Sequence, residues 1–240
     1  MTLPPGVPGR TQLTLAFPLS SQSRFSNFVA TGNEELVRRL QEISQDQRQS
    51  RGYFLWGEAG VGKTHLLQAA LQAASGSLGD VGRTAIYLPL ADSDVVPELL
   101  DGLERLALVA LDDLDAWVGE SKREQALMGL YQGLAETGGR LLVAATRRDL
   151  NFHYADLASR LRGLTAYPVR ALDDAGKALV LRRLAGERGL ALDGAVLDFW
   201  LSRGSRALAD LVRQLDVLDQ AAMQARRRIT VPLIKQVLDL

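Results

Sequence analysis

The run Gly57-Glu58-Ala59-Gly60-Val61-Gly62-Lys63-Thr64 constrains this chain more than any other stretch, because its spelling, G-x-x-x-x-G-K-[ST], prescribes its own shape and its flanks. Successive backbone N–H groups converge on phosphate oxygens only where the chain turns tightly, and glycine allows that approach without strain. Lys63 then supplies a point charge for the terminal phosphates, and the Thr64 hydroxyl supplies a ligand for Mg²⁺. Ahead of the loop, Tyr53-Phe54-Leu55-Trp56 is a short apolar run that reads as a buried strand; behind it, His65-Leu66-Leu67-Gln68-Ala69-Ala70 opens a helix. That order sets the partial positive charge of a helix N-terminus under the phosphates. An accidental glycine-rich turn needs neither flank, so the loop predicts a nucleotide site in an α/β fold.

The bulk composition leaves room for such a fold and closes off others. A length of 240 residues suits one α/β domain, or a larger domain with a small one. The 28 basic and 28 acidic residues cancel, which argues against a strong autonomous grip on a nucleic-acid backbone, although a local patch stays open. There is no cysteine, which removes disulfides and thiolate metal sites and fits a reducing cytoplasm. His65 and His153 are the only histidines, too few for a histidine-built metal or triad site. No window reaches the roughly 18 consecutive apolar residues of a membrane helix. The N-terminus lacks the charged start and apolar core of a signal peptide. The expected setting is cytoplasmic, with no membrane partner.

Residues 1–22 are rich in proline and small polar side chains and read as an extended tail. Within it, Gln12-Leu13-Thr14-Leu15-Ala16-Phe17 alternates polar and apolar residues and ends on an aromatic. The pattern alone fits an edge strand folded onto the core equally with a peptide that docks in extended form into a partner. A helix is predicted from about Glu34 to Arg48. Beyond the phosphate loop come strands at Ala85–Leu88, Leu108–Leu111 and Leu141–Ala145. A weaker one at Ala166–Val169 contains Pro168, which marks an edge. A helix over about 122–137 lies between them, and this alternation implies a parallel sheet with helices on both faces. From Leu172 the pattern is purely helical, with segments near 173–188, 193–202, 205–226 and 230–239. The predicted division is a tail over 1–22, an αβα nucleotide-binding domain over 23–170 and a helical lid over 171–240.

The strand Leu108-Val109-Ala110-Leu111 ends in Asp112-Asp113, carboxylates at the C-terminal end of a buried strand, where a P-loop nucleotidase holds its metal. Asp112 is the candidate Mg²⁺ ligand through water, and Asp113 the group that orients the attacking water. A plain acidic turn is the alternative. Thr146-Arg147 follows the next strand; the Thr146 hydroxyl either reaches the γ-phosphate or its water, or caps a helix. Asp156-Leu157-Ala158-Ser159-Arg160-Leu161-Arg162 sets two arginines on a short helix, either solvated or offered as an arginine finger to a neighbour's nucleotide. Arg206 opens a lid helix within reach of bound phosphates.

Together and in this order, these motifs resemble the AAA+ ATPases, in particular the clade of the bacterial replication initiator DnaA. Phe25-Ser26-Asn27-Phe28 with Gly32-Asn33 is similar to that clade's strip beside the adenine. Gly57–Thr64 falls at Walker A, Leu108–Asp113 at Walker B, Thr146-Arg147 at sensor 1, Ala158-Ser159-Arg160-Leu161 at the arginine-finger box and Arg206 at sensor 2. The resemblance implies a five-stranded parallel sheet in the order 5-1-4-3-2, followed by a small all-α lid. It implies ADP or ATP with Mg²⁺, held by Phe28, Gly57, Ala59, Gly60, Val61, Gly62, Lys63, Thr64, His65, Asp112 and Arg206, with Thr64 and Asp112 toward the metal.

Two departures narrow the resemblance. No helix-turn-helix pattern follows the lid, and the stretch from Leu90 to Leu108 is too short for the initiator's insert for single-stranded DNA. In their place stands Gln12–Phe17, which resembles the QLxLxF peptide that docks on the β sliding clamp of DNA polymerase III through Gln12, Leu13, Leu15 and Phe17. The combination is similar to the Hda family, which implies a negative regulator of replication initiation. Tethered to the DNA-loaded clamp, and so touching DNA only through it, such a protein makes DnaA hydrolyse its ATP, with Arg160 in trans and Asp113 and Thr146 beside its own nucleotide. This implies a bacterial cytoplasmic setting at the nucleoid. An ATP-dependent helicase loader or remodeller, and an adaptor for which nucleotide is a structural ligand, are the competing readings. A homo-oligomer is compatible with all three.

Overall fold

The predicted strands are apolar runs of four or five residues, and those at the middle of the sheet are buried because both sheet faces are covered. The computed structural model describes residues 19–20, 23–45, 51–77, 85–225 and 227–240. The predicted tail peptide Gln12–Phe17 and the end of the first predicted helix lie outside these. The strands are β1 (Gly52–Trp56), β2 (Ala85–Pro89), β3 (Leu108–Asp112), β4 (Arg140–Ala145) and β5 (Thr165–Pro168). They form one 5-stranded sheet in the order β2-β3-β4-β1-β5, every pair parallel. This is the expected order. β5 is an edge strand, where Pro168 withholds no bond from a further neighbour.

Side-chain alternation splits the sheet into two cores. Phe54, Val109, Leu111 and Val143 face one cluster, with Leu127, Leu130 and Leu134 of α3 (Ser121–Thr137) and Leu157 and Leu161 of α4 (Ala155–Arg162). Tyr53, Leu55, Leu108, Ala110 and Leu142 face the other, with Leu36, Leu40 and Ile43 of α1 (Glu34–Gln45) and Leu66, Leu67 and Leu71 of α2 (Lys63–Ser77). β3 and β4 are buried at every residue, as continuous apolar runs in a doubly covered parallel sheet must be. Because all strands run the same way, Trp56, Asp112 and Ala145 end at one edge. The residues that follow them, the phosphate loop, Asp113 and Thr146, open there together.

Four helices complete the chain: α5 (Asp174–Glu187), α6 (Gly194–Arg203), α7 (Leu208–Ala225) and α8 (Val231–Leu238). They have their own core around Leu181, Leu197, Trp200, Leu211 and Leu215. Asp173 caps α5 by accepting from the Gly176 N–H at 2.8 Å, and Thr230 caps α8 from the Leu233 N–H at 3.4 Å. α7 begins later than the pattern predicts. Ser205 donates to Asp210 at 2.7 Å and accepts from the Ala207 N–H at 3.1 Å, so its hydroxyl competes with the helix and leaves Arg206 in the turn ahead of it. Between β2 and β3 there are only short 3-10 turns, Pro97–Leu100 and Leu103–Arg105. Among the described residues no helix is long and apolar enough to cross a membrane.

Candidate functional site

The phosphate loop departs from ordinary backbone where its spelling requires it. Gly60 and Gly62 take φ of 80° and 102°, left-handed values that other L-residues adopt only under strain. A Cβ on Gly62 would also lie 2.9 Å from Cε2 of Phe28. Lys63, buried at 6 % exposure, folds back over the loop, and its Nζ donates to the carbonyls of Gly57 at 2.7 Å and Glu58 at 2.8 Å. That ammonium is held at the mouth of the loop for a phosphate to take over. α2 starts at Lys63, so its N-terminal N–H groups face the same place.

Thr64 and Asp112, chosen from sequence as metal-side residues, meet: Thr64 Oγ1 donates to Asp112 Oδ2 at 2.6 Å. Asp112 is 1 % exposed, and its other oxygen, Oδ1, accepts from the Asp113 N–H at 3.0 Å. A hydroxyl and a buried carboxylate at this spacing fit Mg²⁺, which takes oxygen ligands and completes its shell with water and substrate phosphates. Thr64 and Asp112 would hold it there, and the ion would neutralise phosphate charge. Asp113 takes φ 53° and ψ 45°, a left-handed conformation uncommon outside glycine and typical of sites where the surrounding fold fixes it. Burial, then repulsion from Asp112, raise its carboxyl above the usual range, while Lys63 pulls it down and Asp115 adds to the rise.

Three contacts here escaped the sequence. Tyr87 of β2 donates its phenol to Asp112 Oδ2 at 2.9 Å. Burial, the Asp112 charge and that hydrogen bond all raise the phenol pKa, so it stays a donor. Asp115 accepts from the Thr146 hydroxyl at 2.6 Å and from the Thr146 N–H at 2.7 Å. Thr146 is therefore oriented by a carboxylate rather than acting as a helix cap. Buried Glu124 accepts from the N–H groups of Gly119, His153 and Tyr154 at 2.7, 3.1 and 3.0 Å, tying α3 to the approach of α4. The available signals were faint: one hydroxyl-bearing aromatic in an apolar strand, and a third acid after Asp113.

A cleft of about 440 Å³ opens between the loop and the lid. Phe28, Val61, Leu172, Val180 and Leu208 give it apolar walls, and Arg183 and Arg213 supply cations. This size and lining suit a base and sugar beside the phosphates. Phe28 and His65 stand ring to ring at 5.6 Å, tilted by 44°. His65 presents Nε2 to the Arg24 carbonyl at 2.9 Å, which makes that nitrogen the protonated one. Arg183 of α5 donates to the Asn27 carbonyl, bolting the lid to the strip that carries Phe28. Arg206 does not line the cleft. It is 79 % exposed and lies 3.7 Å from Asp174, whereas Arg183 lines the cleft with its side chain largely buried, and Arg213 lines the rim while paired with Asp210.

Arg160 lies apart from this cleft on α4. Leu157 and Leu161 take the buried face of that helix, which turns Arg160 outward. Its Nε donates to Asp156 at 3.0 Å, and its guanidinium stands 5.9 Å over the Tyr131 ring.

Fold and site together define an AAA+ module: a P-loop at the C-terminal edge of a 5-1-4-3-2 sheet, a Walker B acid beside its Thr, and a helical lid over the cleft. Comparison with known proteins is more specific. Residues 19–84 match the family model of the bacterial DnaA ATPase domain, and residues 174–238 match that of the lid domain of Hda. Among solved structures, domain III of the Thermotoga maritima replication initiation protein DnaA is 20% identical with a TM-score of 0.81, over 92% of this chain and 98% of that one. AMPPCP-bound DnaA from Aquifex aeolicus is 22% identical with a TM-score of 0.66, over 83% of this chain and 66% of that one. A variant of RuvB from Thermotoga maritima is 15% identical with a TM-score of 0.69, over 90% of this chain and 71% of that one. These findings fit an Hda-like, DnaA-homologous AAA+ protein.

Proposed function

We propose that this protein is a negative regulator of chromosomal replication initiation, held on the DNA-loaded sliding clamp and stimulating hydrolysis of the ATP bound to DnaA. The observation that supports this most is the pairing of a DnaA-type ATPase segment with an Hda-type lid in one AAA+ fold. In this reading residues 1–22 form the tether, and Gln12, Leu13, Leu15 and Phe17 dock into the clamp. Residues 23–170 bind ADP or ATP, residues 171–240 close over it, and the protein works in the bacterial cytoplasm at clamp-loaded DNA. Lys63, Thr64 and Asp112 hold the phosphates and Mg²⁺; Phe28 and His65 flank the base. Arg160 then meets the γ-phosphate bound to DnaA, where a trans arginine contributes about 10³–10⁵ in rate in other nucleotidases.

The acid pair Asp112 and Asp113 beside Thr64 favours one further reading, an ATPase whose own turnover drives loading or remodelling. One experiment separates the two. Turnover of labelled ATP prebound to DnaA is followed with clamp-loaded DNA and either the intact protein or its Gln12→Ala and Arg160→Ala forms. The regulator reading expects acceleration that needs both residues. Rapid intrinsic turnover that ignores DnaA and the clamp points to the loader.

A further inference from the structure

Leu19 and Ser20, two and three positions beyond the end of the predicted clamp peptide, are the first described residues, and they are tied to the α1–α2 side of the sheet. The Ser20 N–H donates to Gln68 Oε1 at 3.2 Å, and Gln72 Nε2 donates to the Ser20 carbonyl at 2.7 Å. Leu19 packs on the α1–α2 side of the sheet. Gln68 is itself buried at 8 % exposure, and its side chain also stands close enough to the Tyr87 phenol to favour the phenolate. With Oε1 committed to Ser20, the amide NH₂ is the end left to face that phenol. The phenol proton goes to Asp112 Oδ2, which also receives the Thr64 hydroxyl. A contiguous set of contacts thus runs from the Ser20 amide through Gln68 and Tyr87 to Asp112, where the Thr64 hydroxyl arrives as a second donor. Every side chain between its two ends is buried.

We propose that Tyr87 and Gln68 are positioning residues that couple the root of the N-terminal segment to the Mg²⁺–nucleotide site. The inference rests on the nucleotide reading above and adds a connection that reading does not require. The physical warrant is local. Asp112 Oδ1 is fixed by the Asp113 N–H, so Tyr87 is the contact that fixes Oδ2 when the Thr64 oxygen turns a lone pair to the metal. A shift of that carboxylate moves the phenol, the phenol moves the Gln68 amide, and the amide is the acceptor of Ser20. Coupling through a contiguous network is reciprocal, so whatever changes the hold on Ser20 also changes the Mg²⁺ requirement of the site.

The test uses the full chain with ADP as the probe. Two quantities are measured in the wild type, Tyr87→Phe and Gln68→Leu. One is the Mg²⁺ concentration that half-saturates the gain in ADP affinity; the other is amide exchange over residues 19–27 with and without Mg²⁺–ADP. In the wild type, Mg²⁺–ADP slows exchange at Ser20. Tyr87→Phe keeps the ring and removes one hydrogen bond. It raises the half-saturating Mg²⁺ about threefold to tenfold, leaves Mg²⁺-free ADP affinity unchanged and abolishes the Mg²⁺–ADP effect at Ser20. A merely structural role would shift both affinities together. Gln68→Leu loses the Ser20 effect as well; should it fail to fold, Tyr87→Phe carries the test alone. Tight ADP binding with Ser20 exchange indifferent to Mg²⁺–ADP, or with Tyr87→Phe indistinguishable from wild type, overturns this inference and leaves the nucleotide reading standing. Failure to bind ADP at all removes both.

Discussion

Lys63 and Arg160 are both cations on helices beside the same sheet, and the fold treats them oppositely. Lys63 is 6 % exposed and wrapped onto its own loop by the carbonyls of Gly57 and Glu58. The Arg160 side chain is 37 % exposed, with a partner, Asp156, that is 61 % exposed. A surface pair of that kind contributes little to stability, about 0–1 kcal/mol. In the proposed reading the first charge serves the protein's own nucleotide and the second a nucleotide outside it. Arg160 should therefore be silent in every assay on the isolated protein, and Lys63 in none.

The largest expected effect tests that silence. Arg160→Ala is predicted to lower stimulation of DnaA-bound ATP hydrolysis by about 10³-fold. ADP affinity and the unfolding midpoint should stay within the roughly 0.5 kcal/mol of an ordinary surface substitution. Stimulation that survives the change moves the role to Arg162 or Arg147. Lys63→Ala comes next: losing one charge-assisted contact to phosphate should weaken ADP about 10- to 100-fold in a calorimetric titration. Equal affinity in the two proteins would mean that the loop does not grip the phosphates.

Glu124 sharpens the comparison, because a buried carboxylate positions the helix that offers the exposed arginine. It is 0 % exposed and holds the His153 and Tyr154 N–H groups just ahead of α4. Glu124→Gln replaces one of the two acceptor oxygens by an NH₂, so one of those N–H groups is left facing a donor. The expected cost is about 2 kcal/mol in urea unfolding, with partial loss of stimulation of DnaA and unchanged ADP affinity. A change in ADP affinity equal to that in stimulation would show that α4 and the nucleotide edge are one unit.

Sequence reading reached unequal depths in these two regions. The strands were legible because apolar runs of strand length, separated by helical periodicity, imply a parallel sheet covered on both faces; their order came from the resemblance to the AAA+ ATPases. Gly57–Thr64 was legible because backbone geometry dictates its glycines. Arg206 was harder, since Ser205 breaks the helix before it and a turn residue has no periodicity from which to infer its direction. Glu124 and Tyr87 were invisible for a common reason. A glutamate in Ser-Lys-Arg-Glu-Gln reads as a solvated helix face, and a tyrosine in Ala-Ile-Tyr-Leu reads as core. What each does depends on residues brought to it by tertiary contact, Tyr154 for one and Asp112 for the other.

The smallest expected effect concerns a third charge, one that the fold declines to carry. His65 stands where the strip meets α2; burial pushes its pKa below the ordinary imidazole value, the Arg24 carbonyl pulls it upward, and Arg183 pushes it down again. The folded protein thus holds fewer protons on this ring than the unfolded chain does between the lowered pKa and the ordinary value of about 6.5. Its contribution to stability is fully present above about pH 6.5 and is lost as pH falls through the folded pKa. Urea unfolding at pH 7.5 and 5.5 should show the wild type losing more stability across that interval than His65→Gln, by less than one proton's worth of slope. ADP should enlarge the difference if it enters the cleft beside Phe28 and His65, because a base against the ring buries it further and lowers its folded pKa further. A His65→Gln protein with the same pH slope as the wild type would show that the Arg24 carbonyl cancels the effect of burial. It would also remove His65 from the residues that make the nucleotide edge, unlike α4, sensitive to its own titration.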